Sequence, residues 1–261
     1  MHPLLFQLGH FAIPTYGALV ALALVAALAS LLHFARRLAL DPNKLWNLGL
    51  IGIFSALIAT RLLLVVNLFP AFRAHPAWVL GLTSISNSWI VFAAPLIGFA
   101  AAMLYALAEG LPLLRVLDCI APPIALALAI AGIGAFLAGV GYGLPDRGRF
   151  SITYTSPLAR YWYHTPLGLS MYPVQLFQAI ASLAILAALV WGLPRAQHDG
   201  ELAGAWLFLY GVTGSFIEHY RATTPNRLLA DQVVLVLAVI ASLPLLLQRK
   251  AAAATGGYTG V

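Results

Sequence analysis

The segment "FIEHYR", Phe216 to Arg221, is the densest group of ionisable side chains in the sequence. On a helix, Glu218 and Arg221 stand three apart and share a face. A carboxylate and an imidazole can take or give a proton, and histidine does so near neutral pH, with a reference pKa of ~6.5. An arginine is a planar, permanently charged fork that suits phosphate. Glu218 and His219 are therefore candidate catalytic residues and Arg221 a candidate phosphate ligand. A second reading makes His219 an interfacial residue satisfied by water.

Arg61, inside the apolar run "ATRLLLVV", is the next candidate. An ionisable side chain in such a run is costly to leave unpaired. It marks either an ion pair within a bundle, with Glu218 or Asp118 as partner, or a phosphate contact. "RYWYHTP" sets Arg160 and His164 among three aromatic rings, and an interfacial aromatic belt accounts for the rings without a site. "DRGRF" brings Arg147 and Arg149 beside Asp146, either to steer anionic headgroups or simply to stay solvated.

These groups must be positioned by membrane helices. Of 261 residues, 62% are hydrophobic and 8% charged, against roughly 25% charged in a soluble domain. Lipid removes the need for a charged surface, so the chain is expected to be an all-α integral membrane protein. A crossing takes ~20 apolar residues. The runs 15–36, 45–68, 88–109, 117–142, 172–193, 203–219 and 231–248 give a single bundle of about seven transmembrane helices. Connections are mostly short, apart from 69–87 and the loop region 143–171, expected on the outer side. The polytopic domain occupies 1–250, and 251–261 is expected as a disordered tail.

Lys and Arg divide almost evenly between the two sides. Discounting the long 143–171 loop places the N-terminus outside and the C-terminus, with Arg249 and Lys250, in the cytoplasm. Arg61 and Glu218 then both fall in the outer half, Tyr16 begins the first span on that side, and Tyr210 lies about two turns below Glu218. A polar cavity lined by Arg61, Glu218, His219 and Arg221, opening to the outer leaflet, is the expectation.

The formal charge of +6 comes without a basic run. Phospholipid headgroups are therefore the expected anionic partner, and nucleic acid is not. Cys119 is the only cysteine, which excludes an intramolecular disulfide. No zinc spacing, nucleotide loop or G-x-S-x-G is present, so no cofactor is expected. The N-terminus lacks the basic flank of a signal peptide, and the first span is expected to be retained.

"AIAGIGAFLAGVGYGLPDRGRF", Ala129 to Phe150, carries five glycines before its first charge. Gly134 and Ala138, like Ala131, Ala135 and Gly139, recur four apart, the small-residue spacing of close helix packing in lipid. Gly141 and Gly143 follow where glycine can stop a helix. The competing reading is a backbone that passes close to a lipid phosphate.

The same stretch resembles the signature G-R-I-G-N-F-x-N-G-E of the bacterial prolipoprotein diacylglyceryl transferases, on "AGIGAFLAGV". "MHPLLFQLGHFAIPTYG" resembles that family's opening, with Tyr16 at its tyrosine, and "ATRLLLVV" its second-helix arginine at Arg61. "YPVQLFQA", "GAWLFLYGVTGSFIEHYR" and "DQVVLVLAVI" are similar to its Y/H-P-x-Q-L-Y-E, G-x-x-x-x-x-Y-G-x-x-R-F-x-I-E and G-Q-x-x-S segments, in the same order. The resemblance implies transfer of diacylglycerol from phosphatidylglycerol to a lipoprotein cysteine, with release of glycerol phosphate. It also shows departures. The family's histidine falls on Ala93, its signature arginine on Gly132, asparagine on Ala135 and glutamate on Val140. Its arginine after Y-G falls on Gly214, and the glutamate of Q-L-Y-E on Gln178. Activating a thiol and stabilising a leaving phosphate need a base and cations. Three readings follow: a phosphatidylglycerol-dependent transferase with altered residues and acceptor, a non-catalytic lipid- or partner-binding protein, and the standard reaction. Tyr16, Arg61, Arg147, Arg160, Tyr210 and Arg221 are the expected lipid-binding residues.

Overall fold

Asp41 shows how short polar punctuation sets the helices. Its carboxylate accepts from the Asn43 N–H at 2.9 Å, and Pro42 opens the helix that follows, where its missing N–H costs nothing. In the computed structural model, which describes residues 2–8, 11–74 and 88–255, the helices are α1 (Thr15–Arg37), α2 (Pro42–Asn67), α3 (Phe69–Ala74), α4 (Ser88–Ala108), α5 (Leu113–Ala138), α6 (Pro157–Tyr163), α7 (Val174–Gly192), α8 (Glu201–Glu218) and α9 (Pro225–Thr255). The chain is an all-helical integral membrane protein in its architecture. Among the described residues, five helical segments are long and apolar enough to cross a membrane: Thr15–Arg37, Pro42–Asn67, Leu113–Ala138, Val174–Arg195 and Arg227–Leu247. The expected spans 88–109 and 203–219 coincide with α4 and α8. The apolar part of α4 is the shorter Ala93–Ala108, and α8 has a glutamate at each end.

Three local features differ from the sequence reading. Two small antiparallel pairs join the helices: β1 (Leu4–Leu8) with β2 (Phe11–Pro14), and β3 (Ile152–Thr153) with β4 (Ser170–Met171). α5 ends at Ala138 rather than near 142, because Gly139 takes φ +88° and both its N–H and that of Val140 donate to Ala135 O at 2.9 Å. Gly139 thus closes the helix in the left-handed conformation, and its close packing is against Thr165 and Tyr154. α9 begins before the expected span and runs to Thr255, into the segment read as a tail; residues 256–261 of that tail, and 75–87 of the 69–87 connection, lie outside the described residues.

The chain divides into two compact units. In the unit Leu31–Val116, α2 packs on α4 through small residues: a Cβ on Gly98 would press on the Gly52 carbonyl and the Ala56 methyl. Lys44 Nζ closes the far end of this pair with Glu109, at 2.9 Å.

In the unit formed by Met1–Ser30 and Leu117–Val261, small residues again allow close approach. Gly132 of α5 meets Ala179 of α7, Gly134 meets Leu19 of α1, and Gly211 of α8 meets Leu235 and Val239 of α9. Lipid gives helices no hydrophobic reason to associate, so this close packing supplies the attraction. Buried Asp118 of α5 reaches the start of α8, where Gly200 at φ +94° has no side chain to cap the helix. Its carboxylate accepts the Gly200 and Ala203 N–H groups at 2.6 and 2.8 Å. It thereby serves as a helix cap delivered from another helix. Its two oxygens are engaged on α8, an arrangement that leaves Asp118 with a structural duty.

Candidate functional site

Residues 142–146 belong to the unit formed by Met1–Ser30 and Leu117–Val261. They run between two other segments and hydrogen-bond to both. On one edge Leu144 N–H donates to Tyr220 O at 2.8 Å, and Ala222 N–H to Tyr142 O at 3.1 Å. On the other, Tyr172 N–H donates to Leu144 O at 3.0 Å, and Asp146 N–H to Ser170 O at 2.9 Å. Gly143 lies between, and a Cβ there would collide with the carbonyl oxygens of Tyr172 and Tyr220. Its role is close backbone approach rather than the end of a helix. The long loop region thus opens on a backbone-paired platform, and it fixes the third residue after α8.

That residue is Arg221. Its Nε donates to Glu218 Oε2 at 2.8 Å and its Nη1 to Gly141 O at 3.2 Å. The glutamate is buried and the arginine half-buried. The Arg221 charge acts on the hydroxyls of both Tyr16 and Tyr210. Tyr163 of α6 sets its ring edge-on to Tyr16, with centroids 6.5 Å apart, and burial raises its hydroxyl above the usual phenol range. The structure therefore pairs Glu218 with Arg221 directly, within electrostatic range of Tyr16 of α1 and Tyr210 of α8.

Two further residues belong here that the sequence reading passed over. Asp231 of α9, 8% exposed, lies 3.8 Å from Arg227 and close enough to Glu218 for the two carboxyls to interact. Gln175 of α7, 2% exposed, donates to Val140 O at 2.9 Å and to the Tyr154 hydroxyl at 3.1 Å. Burial pushes the Tyr154 hydroxyl up to about 12, so it stays protonated and donates in turn to Phe136 O at 3.4 Å. Gln175 and Arg221 thus hold the consecutive carbonyls 140 and 141. The signal for Asp231 was visible: it is a carboxylate inside the first turns of an apolar helix.

His219 is exposed while its neighbour Glu218 is buried. Its Nδ1–H donates to Ser215 O at 2.7 Å, and Gln232 donates to the same carbonyl at 3.0 Å. The imidazole is therefore held at the end of α8, with Gln232 Nε2 of α9 also 3.2 Å from its Nδ1. Arg147 is exposed on the platform loop, and Arg160 is exposed in the last turn of α6. Arg61 belongs to α2, in the other unit, and is half-buried.

A family model described as prolipoprotein diacylglyceryl transferase matches residues 3–251. The chain belongs to the prolipoprotein diacylglyceryl transferase family. It is similar to the phosphatidylglycerol–prolipoprotein diacylglyceryl transferase of Clostridium tetani, at 27% identity over 85% of this chain and 86% of the relative. A second relative so named, from Clostridium perfringens, is 22% identical over 79% and 78% of the two chains. One from Dehalococcoides mccartyi is 24% identical over 80% and 78%.

Gly132 and Gly214, which the resemblance sets against arginines, both stand in close helix packing. A Cβ on Gly132 would lie 3.1 Å from both the Ala179 Cβ and the Gln175 carbonyl oxygen. One on Gly214 would lie 2.8 Å from Leu235 Cδ2. At Gly132 the neighbours are backbone and a methyl group, whereas at Gly214 they are the movable end of a leucine. Gln178, where the family motif implies glutamate, keeps a buried Nε2 with no acceptor.

Proposed function

We propose that this chain is a membrane transferase that takes a phosphatidylglycerol-like donor, works with altered residues and serves an acceptor of its own. The observation that carries the reading is the Arg221–Glu218 pair, within electrostatic range of Tyr16 and Tyr210, in a largely apolar bundle. Arg221 with the two hydroxyls would hold the phosphodiester, and Glu218 would accept the proton of the incoming nucleophile. Displacement of glycerol phosphate needs a base and cations only. No cofactor is invoked. Exposed Arg147 and Arg160 suit headgroup capture, Arg61 is proposed as a headgroup contact in its own unit, and His219 as a proton exchanger with solvent. The names of the relatives give prolipoprotein as their acceptor; that of this chain is proposed to differ.

The altered positions make a direct prediction. Expressed in cells depleted of their own lipoprotein diacylglyceryl transferase, this protein should not restore growth, while the purified protein should retain phosphatidylglycerol and slowly release glycerol phosphate from it. Restored growth with thioether-modified lipoproteins would reinstate the standard reaction. The closed packing at Gly132 and Gly214 favours a second reading, a non-catalytic lipid- or partner-binding protein. Bound phosphatidylglycerol with no glycerol phosphate released would select it, and absence of both would reject the donor site.

The proposal includes seven crossings of the bacterial cytoplasmic membrane, with the N-terminus outside and Arg249–Lys250 in the cytoplasm. Seven long helices in chain order support it: the five apolar ones together with α4 and α8. Reporter fusions should give opposite sides for the two ends, and the same side for both would overturn the count.

A further inference from the structure

At the end of α7 away from the platform, a cavity of about 340 Å³ opens between α7 and α8. From Gln175 to Gly192 the helix advances ~25 Å, at its usual rise per residue. Leu189 and Gly192 wall the cavity on one side, and Leu202, Ala205 and Leu209 on the other. At ~30 Å³ for a group the size of a water molecule, it takes on the order of ten methylenes. The α7 wall belongs to Val174–Arg195, a segment long and apolar enough to cross a membrane. An acyl chain of a lipid is what such a cavity meets from the side.

The mouth of the cavity is charged. Arg195, in the 3-10 turn after α7, and Glu201, in the first turn of α8, both line it. The guanidinium is held in place: it lies 4.1 Å from the centroid of the Trp191 ring, and its Nη1 donates to the Trp191 carbonyl at 2.6 Å. That bond uses one of the five N–H donors of a guanidinium, and the fork suits a phosphate. Glu201 accepts the Gln197 N–H at 2.9 Å on Oε2, and a carboxylate accommodates several donors. A held cation and a carboxylate at the mouth of an apolar cavity match a headgroup that carries both charges.

We infer that this cavity is a lipid site separate from the donor site, and that it takes one acyl chain of a phosphatidylethanolamine, with the phosphate on Arg195 and the ammonium on Glu201. Within 195–201 two carboxylates, Asp199 and Glu201, face one arginine, so a headgroup that brings only negative charge is opposed there. Choline fits less well. Its quaternary nitrogen has no N–H for the carboxylate and is recognised through aromatic faces, whereas Arg195 already covers a face of Trp191. A lipid seated here braces the turn 193–200 that joins α7 to α8.

The test uses the delipidated full chain in detergent, incubated with dioleoyl phosphatidylethanolamine, phosphatidylcholine or phosphatidylglycerol, with retained lipid counted by native mass spectrometry. The wild type should retain phosphatidylethanolamine on the order of tenfold more than phosphatidylcholine, the scale of a hydrogen bond to a charged group. Phosphatidylethanolamine should also raise the unfolding midpoint, as a ligand of the folded state does. Ala205→Phe puts a ring into the cavity and should lower retained phosphatidylethanolamine on the order of tenfold, with no fall in the lipid-free midpoint, since filled cavities commonly stabilise. Glu201→Gln keeps an oxygen for the Gln197 N–H but loses the charge, and should bring phosphatidylethanolamine down to the phosphatidylcholine level. Arg195→Ala should lower both. Retained phosphatidylglycerol should not change in these variants, whereas Arg221→Ala should lose it and keep phosphatidylethanolamine. Equal retention of phosphatidylethanolamine and phosphatidylcholine by the wild type, or wild-type retention by Ala205→Phe, would overturn the inference. Should Ala205→Phe not fold, unchanged phosphatidylethanolamine on Glu201→Gln overturns it instead. Absence of phosphatidylglycerol from every protein would remove the donor reading and leave this site standing.

Discussion

Arg221→Ala should lose phosphatidylglycerol binding and cost about 3 kcal/mol of stability, the scale for removing one partner of a buried ion pair. The stability loss has a specific origin. Glu218 and Asp231 would remain buried with only Arg227, at 3.8 Å from Asp231, to balance them. The Gly141 carbonyl would also lose its donor. Backbone pairing of 142–146 with 220–222 does not depend on the side chain, so the platform should survive. Arg221→Lys separates the two roles. It keeps a charge near Glu218 but not the fork that bonds a carboxylate and a carbonyl at once. Its unfolding midpoint should fall less than that of Arg221→Ala, while bound phosphatidylglycerol should drop on the order of tenfold. Thermal unfolding in detergent and lipid analysis of the same preparations check both. A folded Arg221→Ala that retains wild-type lipid would take Arg221 out of the site.

The parts of this site that could be read in the sequence were those that obey a local rule. Glu218 and Arg221 pair because three residues on a helix end bring them together, and the structure shows that pair at 2.8 Å. Tyr16 and Tyr210 were expected from depth counting along helices read as crossing one membrane, and Arg221 acts electrostatically on both. His219 does not follow, because adjacent residues on a helix point about 100° apart. With Glu218 buried, its neighbour turns outward. Nor could Asp231 be placed: its nearness to Glu218 depends on how α8 packs on α9, which the small residues Gly211 and Gly214 allow. The platform at 142–146 was invisible for a similar reason. Its pairing partners lie near 171 and 221, and each segment is too short to show a strand pattern. Gly139 was misassigned because its spacing fits a packing face, whereas its positive φ ends the helix.

Restoring the arginines that the family signature implies should break this protein rather than activate it. At Gly132, a Cβ alone would press on the Ala179 Cβ, the Gln175 carbonyl and the Ala179 nitrogen at 3.1 to 3.2 Å. Backbone and methyl groups cannot step aside as a side-chain end can. Gly132→Arg must therefore part α5 from α7, and it places a charge against helix backbone. At Gly214 the nearest atom is the tip of Leu235 at 2.8 Å, which can turn away from a methyl group but not from a guanidinium. Overpacking usually costs 1–3 kcal/mol, and a buried unpaired charge adds several more. Each arginine variant is expected to lose on the order of 4 kcal/mol or more, a large part of ordinary protein stability. A graded series makes the cause visible. Gly214→Ala should be nearly neutral, Gly132→Ala should lower the unfolding midpoint, and the arginine variants should yield little monodisperse protein. The double arginine variant should also fail to support lipoprotein modification in depleted cells. If instead it folds and modifies lipoproteins, side-chain loss alone separates this chain from its relatives, and the closed helices are not what holds the altered site in place.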